Sequence, residues 1–204
     1  MGRRKFLPVS RFQLVGGALC LELVNTSGAR AADRPRERLA SYQDLLTWSR
    51  RAGILRPAAA DRLRRQAARG PAGATRALRR VRRLREQLYR VFRPIADGSA
   101  PPPMAVGLVS RWWRKDRSRR ELVAGRGGFD LRLRVRADER DPMLWPIVAS
   151  AVDLLTSERI ARLKRCGECD WLFLDESKNG SRRWCKKNCG NRVRARRRYA
   201  RSRR

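Results

Sequence analysis

Four of the five cysteines stand in two close pairs near the C-terminus of the 204-residue chain. Cys166 and Cys169 form the first pair, fifteen residues follow, and Cys185 and Cys189 form the second. Two thiolates from one short loop can bind a single metal ion, and two such loops complete the tetrahedral coordination that zinc prefers. A disulfide staple, a redox pair and a catalytic metal centre are the alternative roles for cysteines spaced in this way.

The absence of histidine from the sequence narrows the chemistry of such a site. A soft-metal site must then consist of thiolates alone, and four protein ligands leave no open position for water or substrate. The pattern therefore predicts one structural Zn²⁺ per chain, with iron in a rubredoxin-like site as the chemical alternative. Histidine-dependent nucleophilic mechanisms are excluded, and no motif singles out carboxylates such as Glu22 or Asp44, so we expect no enzymatic activity.

Positive charge dominates the composition. The chain has 51 basic and 19 acidic side chains, a formal net charge of +32, and residues 186–204 hold ten basic residues and no acidic one. Lysine and arginine neutralise phosphates and release their counterions, so this excess favours a polyanionic partner. Genome-wide preference for arginine and alanine codons is the alternative explanation. We expect double-stranded DNA as the partner, with RNA as the alternative.

The candidate nucleic-acid contacts lie within and after the cysteine pairs, where a helix is predicted to follow Cys189. Arginines on such a helix can contact phosphates or read guanine edges, and Asn191 could cap the helix or contact a base. The candidates are Arg182, Arg183, Lys186, Lys187, Asn191, Arg192, Arg194, Arg196, Arg197 and Arg198.

The segment between the pairs, DWLFLDESKNGSRRW, predicts a β-hairpin with its turn at Asn179 and Gly180. Its small core would consist of Trp171, Phe173 and Trp184. A unit of roughly 25 residues cannot bury enough apolar surface to fold alone, so bound metal should supply much of its folding free energy.

The preceding residues must form the body that carries this cysteine module. RFQLVGGALCLELVNT predicts a hairpin around Gly16 and Gly17, and ELVAGRGGFDLRLRV predicts a second one. Ser41 is a predicted helix cap, and apolar side chains recur every three or four residues between positions 75 and 93. Further helices are predicted after Pro57, within PPPMAVGLVSRWWRK and over residues 142–157.

Together these elements predict an α+β fold in two parts. A helix-rich domain with short β-hairpins should span residues 1–157, and the four-cysteine module with its basic tail should span residues 158–204, joined by the linker SERIARLKR. No apolar stretch is long enough to span a bilayer, and the basic start MGRRKFLPVSRF lacks the features of a secretion signal. We therefore expect a cytoplasmic protein without a membrane partner, while the oligomeric state stays open.

The segment RLKRCGECDWLFLDESKNGSRRWCKKNCGNRVRARR resembles the CGNR zinc finger, whose name-giving motif stands here at residues 189–192. VGGALCLELVNT and LWPIVASAVDLLTS are similar to the opening segment and the last helix of the ABATE domain that precedes this finger. The resemblance covers nearly the whole chain. It implies a bacterial stress-induced transcription regulator with a DNA-binding finger and a sensing or scaffolding N-terminal domain. It also implies that Asn25 and Thr26 could line a pocket for a small-molecule effector.

Overall fold

The computed structural model describes residues 12–28, 30, 36–125 and 127–203. Within them, three two-stranded antiparallel sheets pair β1 (Ser27–Gly28) with β2 (Arg36–Glu37), β3 (Arg120–Gly125) with β4 (Gly128–Leu133), and β5 (Leu163–Arg165) with β6 (Leu172–Leu174). The helices are α1 (Leu19–Val24), α2 (Tyr42–Arg51), α3 (Pro57–Arg69), α4 (Pro71–Ala96), α5 (Pro103–Arg117), α6 (Leu144–Leu155) and α7 (Lys187–Arg201), with a 3₁₀ helix at Glu158–Arg162. The predicted helix-rich α+β fold is confirmed, while most of the basic start of the chain, residues 1–11, lies outside the described residues.

The longest helix, α4, forms the centre of the main core. Its side chains Val81, Leu84, Leu88 and Phe92 recur at helical spacing and are fully buried. The helix passes through Pro94 and ends at Ala96. Helices α1, α2, α3, α5 and α6 all pack against it. In the part of the chain that the structure describes, no helix is both long enough and apolar enough to cross a bilayer.

Local signals place the helix starts where the sequence predicted them. Ser41 caps α2 by accepting from the Asp44 backbone N–H, and the Asp44 carboxylate accepts in return from the Ser41 N–H at 2.8 Å. This reciprocal pair is a capping box. Pro57 and Pro103 begin α3 and α5, because proline fits the first helical position, whose N–H would have no helical partner.

The predicted first hairpin, around Gly16 and Gly17, is wrong, because the second half of that segment forms helix α1. The Glu22 carboxylate turns back and accepts backbone N–H groups from residues 15–17, including that of Gly16 at 2.7 Å. Gly17 has φ of 79°, so a glycine turn is present, but it leads into a helix. Leu21 and Leu23 are buried together with Cys20, and such a short run does not distinguish a strand from a buried helix.

The second predicted hairpin is confirmed as β3–β4, with Leu122 opposite Leu131. The sequence predicted that one face would be solvated. In the structure the other face is open as well, since Leu122, Phe129 and Leu131 are 65%, 74% and 63% exposed. Among the described apolar residues of this hairpin, only Leu133, at the end of β4, packs against the main core.

Candidate metal centre and basic helix

The four paired cysteine side chains converge on one point. Their Sγ atoms all lie within 4.8 Å of one another, and the separations are 3.6 Å for Cys169–Cys185, 3.8 Å for Cys185–Cys189 and 3.7 Å for Cys169–Cys189. Tetrahedral zinc, with Zn–S bonds of about 2.3 Å, requires about 3.8 Å between sulfurs. A disulfide would need about 2.05 Å between two of them, and all are free thiols. The four cysteines are thus positioned to hold one structural Zn²⁺.

Thiols this close together cannot all ionise without a cation between them. Hydrogen bonds from Cys169 and Cys185 lower the pKa of the Cys166 thiol, and the same contact with Cys166 raises the pKa of Cys169 to about 12. Contact with Cys166 also raises the pKa of Cys185. A divalent ion removes this conflict because it binds the thiolates directly. Three of the four thiols are buried, which suits a closed structural site.

The first cysteine pair lies in the turn of the β5–β6 hairpin. The Cys166 N–H donates to the Trp171 carbonyl at 2.8 Å, and the Asp170 N–H donates to the Cys166 carbonyl at 3.2 Å. Asp170 has φ of 59°, a left-handed conformation that aspartate adopts more readily than most non-glycine residues. Arg165 donates to the Asp170 carboxylate at 2.8 Å. The closed turn directs Cys166 and Cys169 to the same point.

The predicted return strand carrying Trp184 is wrong. Strand β6 pairs with β5 instead, and the buried Asp175 carboxylate organises the following loop. It accepts from Lys164 Nζ at 2.8 Å, the Ser177 hydroxyl at 2.6 Å and the Arg182 N–H at 2.8 Å. Burial opposes ionisation, yet these donors hold the pKa of Asp175 well below its usual range. Side-chain bonds of this kind compete with a strand ladder for the backbone groups of the segment.

The second cysteine pair leads into α7. Cys189 lies in the first turn of this helix, beside the buried Gly190. A Cβ atom at Gly190 would lie 3.3 Å from the Trp184 ring, so glycine allows the helix to pack closely on the tryptophan. The helix predicted after Cys189 is confirmed, and it starts two residues earlier, at Lys187.

A carboxylate between the first two cysteines also holds α7 in place. Glu168 accepts from Arg192 Nε at 3.0 Å and from Arg196 Nη1 at 3.0 Å. Arg192 donates further to Cys189 Sγ at 3.4 Å. Sequence reasoning did not single out Glu168, because a lone glutamate inside a C-x₂-C loop has no characteristic spacing. Its two contacts fix the helix to the first cysteine loop.

Five of the ten candidate nucleic-acid contacts turn towards the cysteine module itself. Arg192 and Arg196 bind Glu168, as described above. The cation of Arg182 lies 5.0 Å from the centre of the Phe173 ring, that of Arg183 5.8 Å from the Trp184 ring, and that of Lys186 4.8 Å from the Trp171 ring. Cation–π contacts of this kind stabilise the module.

The other five candidates project from the exposed side of α7 or from its start. Arg194 donates to Asn191 Oδ1 at 2.6 Å, so these two side chains form a pair on the helix surface. Arg201 joins them on this face by its helical spacing, although the sequence analysis did not include it. These five candidates, all of them exposed, are Lys187, Asn191, Arg194, Arg197 and Arg198.

The cysteine module shares a strand with the helical body. Leu172 and Leu174 of β6 belong to the main core, whereas Trp171 and Phe173 belong to the small core around the cysteines. This follows from strand geometry, since alternate side chains point to opposite faces. The predicted linker SERIARLKR is also wrong. Its residues form the 3₁₀ helix and β5, and Leu163 lies in the main core.

Asn25 and Thr26 both have structural partners. The Asn25 amide donates to the Leu172 carbonyl at 2.8 Å and its Oδ1 accepts from the Leu172 N–H at 2.9 Å. The Thr26 hydroxyl donates to the Leu23 carbonyl and accepts from Arg85 at 3.1 Å. Both residues are at least 97% buried. The effector pocket at these positions stays a prediction.

A closed four-cysteine site, a hairpin that carries its first two ligands and a helix that carries the last define a zinc-finger protein with a helix-rich N-terminal body. Residues 162–202 match the CGNR zinc finger. Residues 17–158 match ABATE, a family described as "Putative stress-induced transcription regulator", and the chain belongs to this family. A search of curated proteins found no match.

Proposed function

We propose that this protein is a bacterial, cytoplasmic transcription regulator that binds double-stranded DNA through its zinc finger and catalyses no reaction. The observation that supports this is the outer face of α7, which we define as Lys187, Asn191, Arg194, Arg198 and Arg201. These residues are exposed, recur every three or four positions, and lie on a helix without any acidic residue.

The dimensions of α7 suit a DNA groove. A helix of 15 residues is about 22 Å long, and the major groove, about 12 Å wide, admits one α-helix. Arginines on the outer face would contact phosphates or guanine edges, and Asn191 would contact a base or orient Arg194.

The zinc site would act by positioning this helix. Cys189 would fix the start of α7 to the metal, and Glu168 fixes its second and third turns through Arg192 and Arg196. In this proposal Arg192 and Arg196 are positioning residues, whereas Arg182, Arg183 and Lys186 flank the helix and add positive potential near the DNA backbone.

The test is fluorescence anisotropy with labelled duplex DNA and structured RNA of equal length, at equal salt, before and after zinc chelation. We expect the zinc-loaded protein to prefer duplex DNA and to lose that preference with the metal. Preference for RNA would move the protein to an RNA-binding role. Binding that is indifferent to both the metal and the polymer would contradict the proposal, because the charge of the tail alone would then explain it.

A further inference from the structure

A basic cavity lies at the end of α4 remote from the zinc finger. It measures about 620 Å³, is open to solvent, and is lined by the first turns of α4, the end of α5, the segment before α6 and the start of α6. Its basic lining residues are Arg76, Arg80, Lys115, Arg119, Arg136 and Arg140. A volume of this size lies in the range of small-molecule sites in proteins.

Three acidic residues line the same cavity, and each has a cationic neighbour. Glu139 pairs with Arg119 and also accepts from the Trp145 indole N–H at 2.7 Å. Asp141 lies 3.0 Å from Arg80, and the third acid, Asp138, pairs with Arg136 at 3.1 Å. Six cations against three anions leave an excess of three positive charges on the lining.

Two of the lining arginines carry hydrogen-bond donors without an acceptor. Among the described residues, the Nε atoms of Arg119 and Arg140 are buried and have no hydrogen-bond partner. A buried donor left unpaired is costly, and few such groups occur in native proteins. Asp141 Oδ2 in the same lining is also buried without a hydrogen-bond partner, so the polar groups around this cavity are incompletely paired within the described chain.

The surroundings fix both guanidinium groups. Arg119 lies over the Trp145 ring, 4.6 Å from its centre, and donates to the Arg134 carbonyl at 2.8 Å. Arg140 lies against Gly70 and Gly73, where a Cβ atom would come within 3.0 Å of the guanidinium. Both arginines are therefore held in position without their Nε donors being used.

We infer that this cavity binds the phosphate group of a small phosphorylated molecule. Guanidinium groups present several donors in a fixed plane and bind phosphate oxygens in pairs, and the excess positive charge matches a dianion. About 17 residues of α4 separate Arg80 from Asp97, which contacts Arg165 of the finger, so the two sites lie about 25 Å apart along the helix. The cavity does not depend on DNA binding by α7.

The test measures binding of pyrophosphate to the zinc-loaded protein by isothermal titration calorimetry at fixed ionic strength. We expect one saturable site. Arg119→Gln and Arg140→Gln should each weaken binding about tenfold, the effect of one lost charge-assisted bond. Arg83→Gln removes the same charge from an exposed position on α4 and should change affinity less than about twofold.

Gly73→Ala provides a variant that keeps every charge. Alanine favours the helix, so folding is retained, while its Cβ displaces the Arg140 side chain and should weaken pyrophosphate binding. Equal affinity in all four variants would overturn the inference. So would loss of pyrophosphate binding when duplex DNA is present at saturation, because the cavity would then belong to the nucleic-acid surface. Retained binding in the DNA complex supports a separate site for a free phosphorylated ligand.

Discussion

The side chain of Asn25 forms two hydrogen bonds with the backbone of Leu172, 147 positions further along the chain. The amide thereby extends the pairing of β6 on the edge opposite β5, where the described residues form no further strand. Leu174 continues this edge by donating to the Gly16 carbonyl at 2.9 Å. The zinc finger and the helical body are therefore joined through buried polar contacts as well as a shared apolar strand.

Asn25→Ala should loosen this junction. We expect a loss of about 1–3 kcal/mol in the free energy of unfolding, because two buried backbone groups of Leu172 lose their partner. Zinc content should stay at one per chain, since no ligand is touched. Thermal unfolding measures the effect, with Asn179→Ala on the exposed loop as the control. Equal stability of the two variants would show that the contact contributes nothing.

Cys185→Ser should abolish metal binding and unfold the finger. Serine is a poor zinc ligand, and three thiolates leave an incomplete site. The zinc content of the purified protein, measured by elemental analysis, should fall from one per chain to near zero. Cys20→Ser is the matched control, because Cys20 is buried in the main core and contacts Ser150. Zinc retained after the Cys185 substitution would refute the four-thiolate assignment.

Replacing Arg194, Arg198 and Arg201 together with glutamine should weaken duplex DNA binding and reduce its salt dependence. Each phosphate contact adds about 0.9 to the slope of log K against log salt, so the slope should decrease by about 2–3. The control replaces Arg51, Arg62 and Arg65, which are exposed on α2 and α3, and removes the same charge. If both triple variants lose affinity equally, the outer face of α7 is not the contact surface.

Glu168→Gln should free α7 without removing the metal. The carboxylate is nearly buried, but its partners Arg192 and Arg196 are more than half exposed. We therefore expect the free energy of unfolding of the whole protein to decrease by no more than about 1 kcal/mol. Amide hydrogen exchange in the first turns of α7 should nevertheless accelerate, while zinc content stays unchanged. Unaltered protection of α7 would show that zinc and the Trp184 contact suffice to hold the helix.

Glu37→Gln should destabilise the helical body in a pH-dependent way. Glu37 accepts two bonds from the buried Arg85, at 2.8 and 2.6 Å. Without the Glu37 charge, Glu86 is the one acidic partner of Arg85 among the described residues. We expect the free energy of unfolding to decrease by about 2–3 kcal/mol at pH 7. Burial raises the pKa of Glu37, but the bonds from Arg85 outweigh it and lower the pKa overall.

The sign of the pH effect follows from that lowered pKa. The ion pair contributes its full stability above the unfolded pKa of about 4.3, and this contribution decreases as the pH falls through the lower folded value. The difference in free energy of unfolding between wild type and Glu37→Gln should therefore decrease below about pH 4. Glu121→Gln, which breaks an exposed contact with Arg134, serves as the control and should cost less than about 1 kcal/mol at any pH. A pH-independent difference would contradict this account.

The sequence by itself determined the local features of this protein. Cysteine spacing and the absence of histidine gave a four-thiolate zinc site, because ligand number and reach depend on short segments only. Helices α2 to α5 were likewise predicted from short segments. Their signals are the cap at Ser41, the prolines that start α3 and α5, and the regular spacing of apolar residues in α4. The boundary near residue 157 stays a prediction, since the two parts share β6.

Only the tertiary structure decided which segments pair and which charges remain free. The finger hairpin forms with β5 rather than with the segment before Cys185, because Leu163, Leu172 and Leu174 are buried in a core built by distant helices. Nothing in the local sequence distinguishes Arg192 from Arg194, yet Arg192 binds Glu168 and Arg194 lies on the outer face of α7. The basic cavity joins residues more than 60 positions apart. Such contacts depend on long-range packing, which local spacing does not encode.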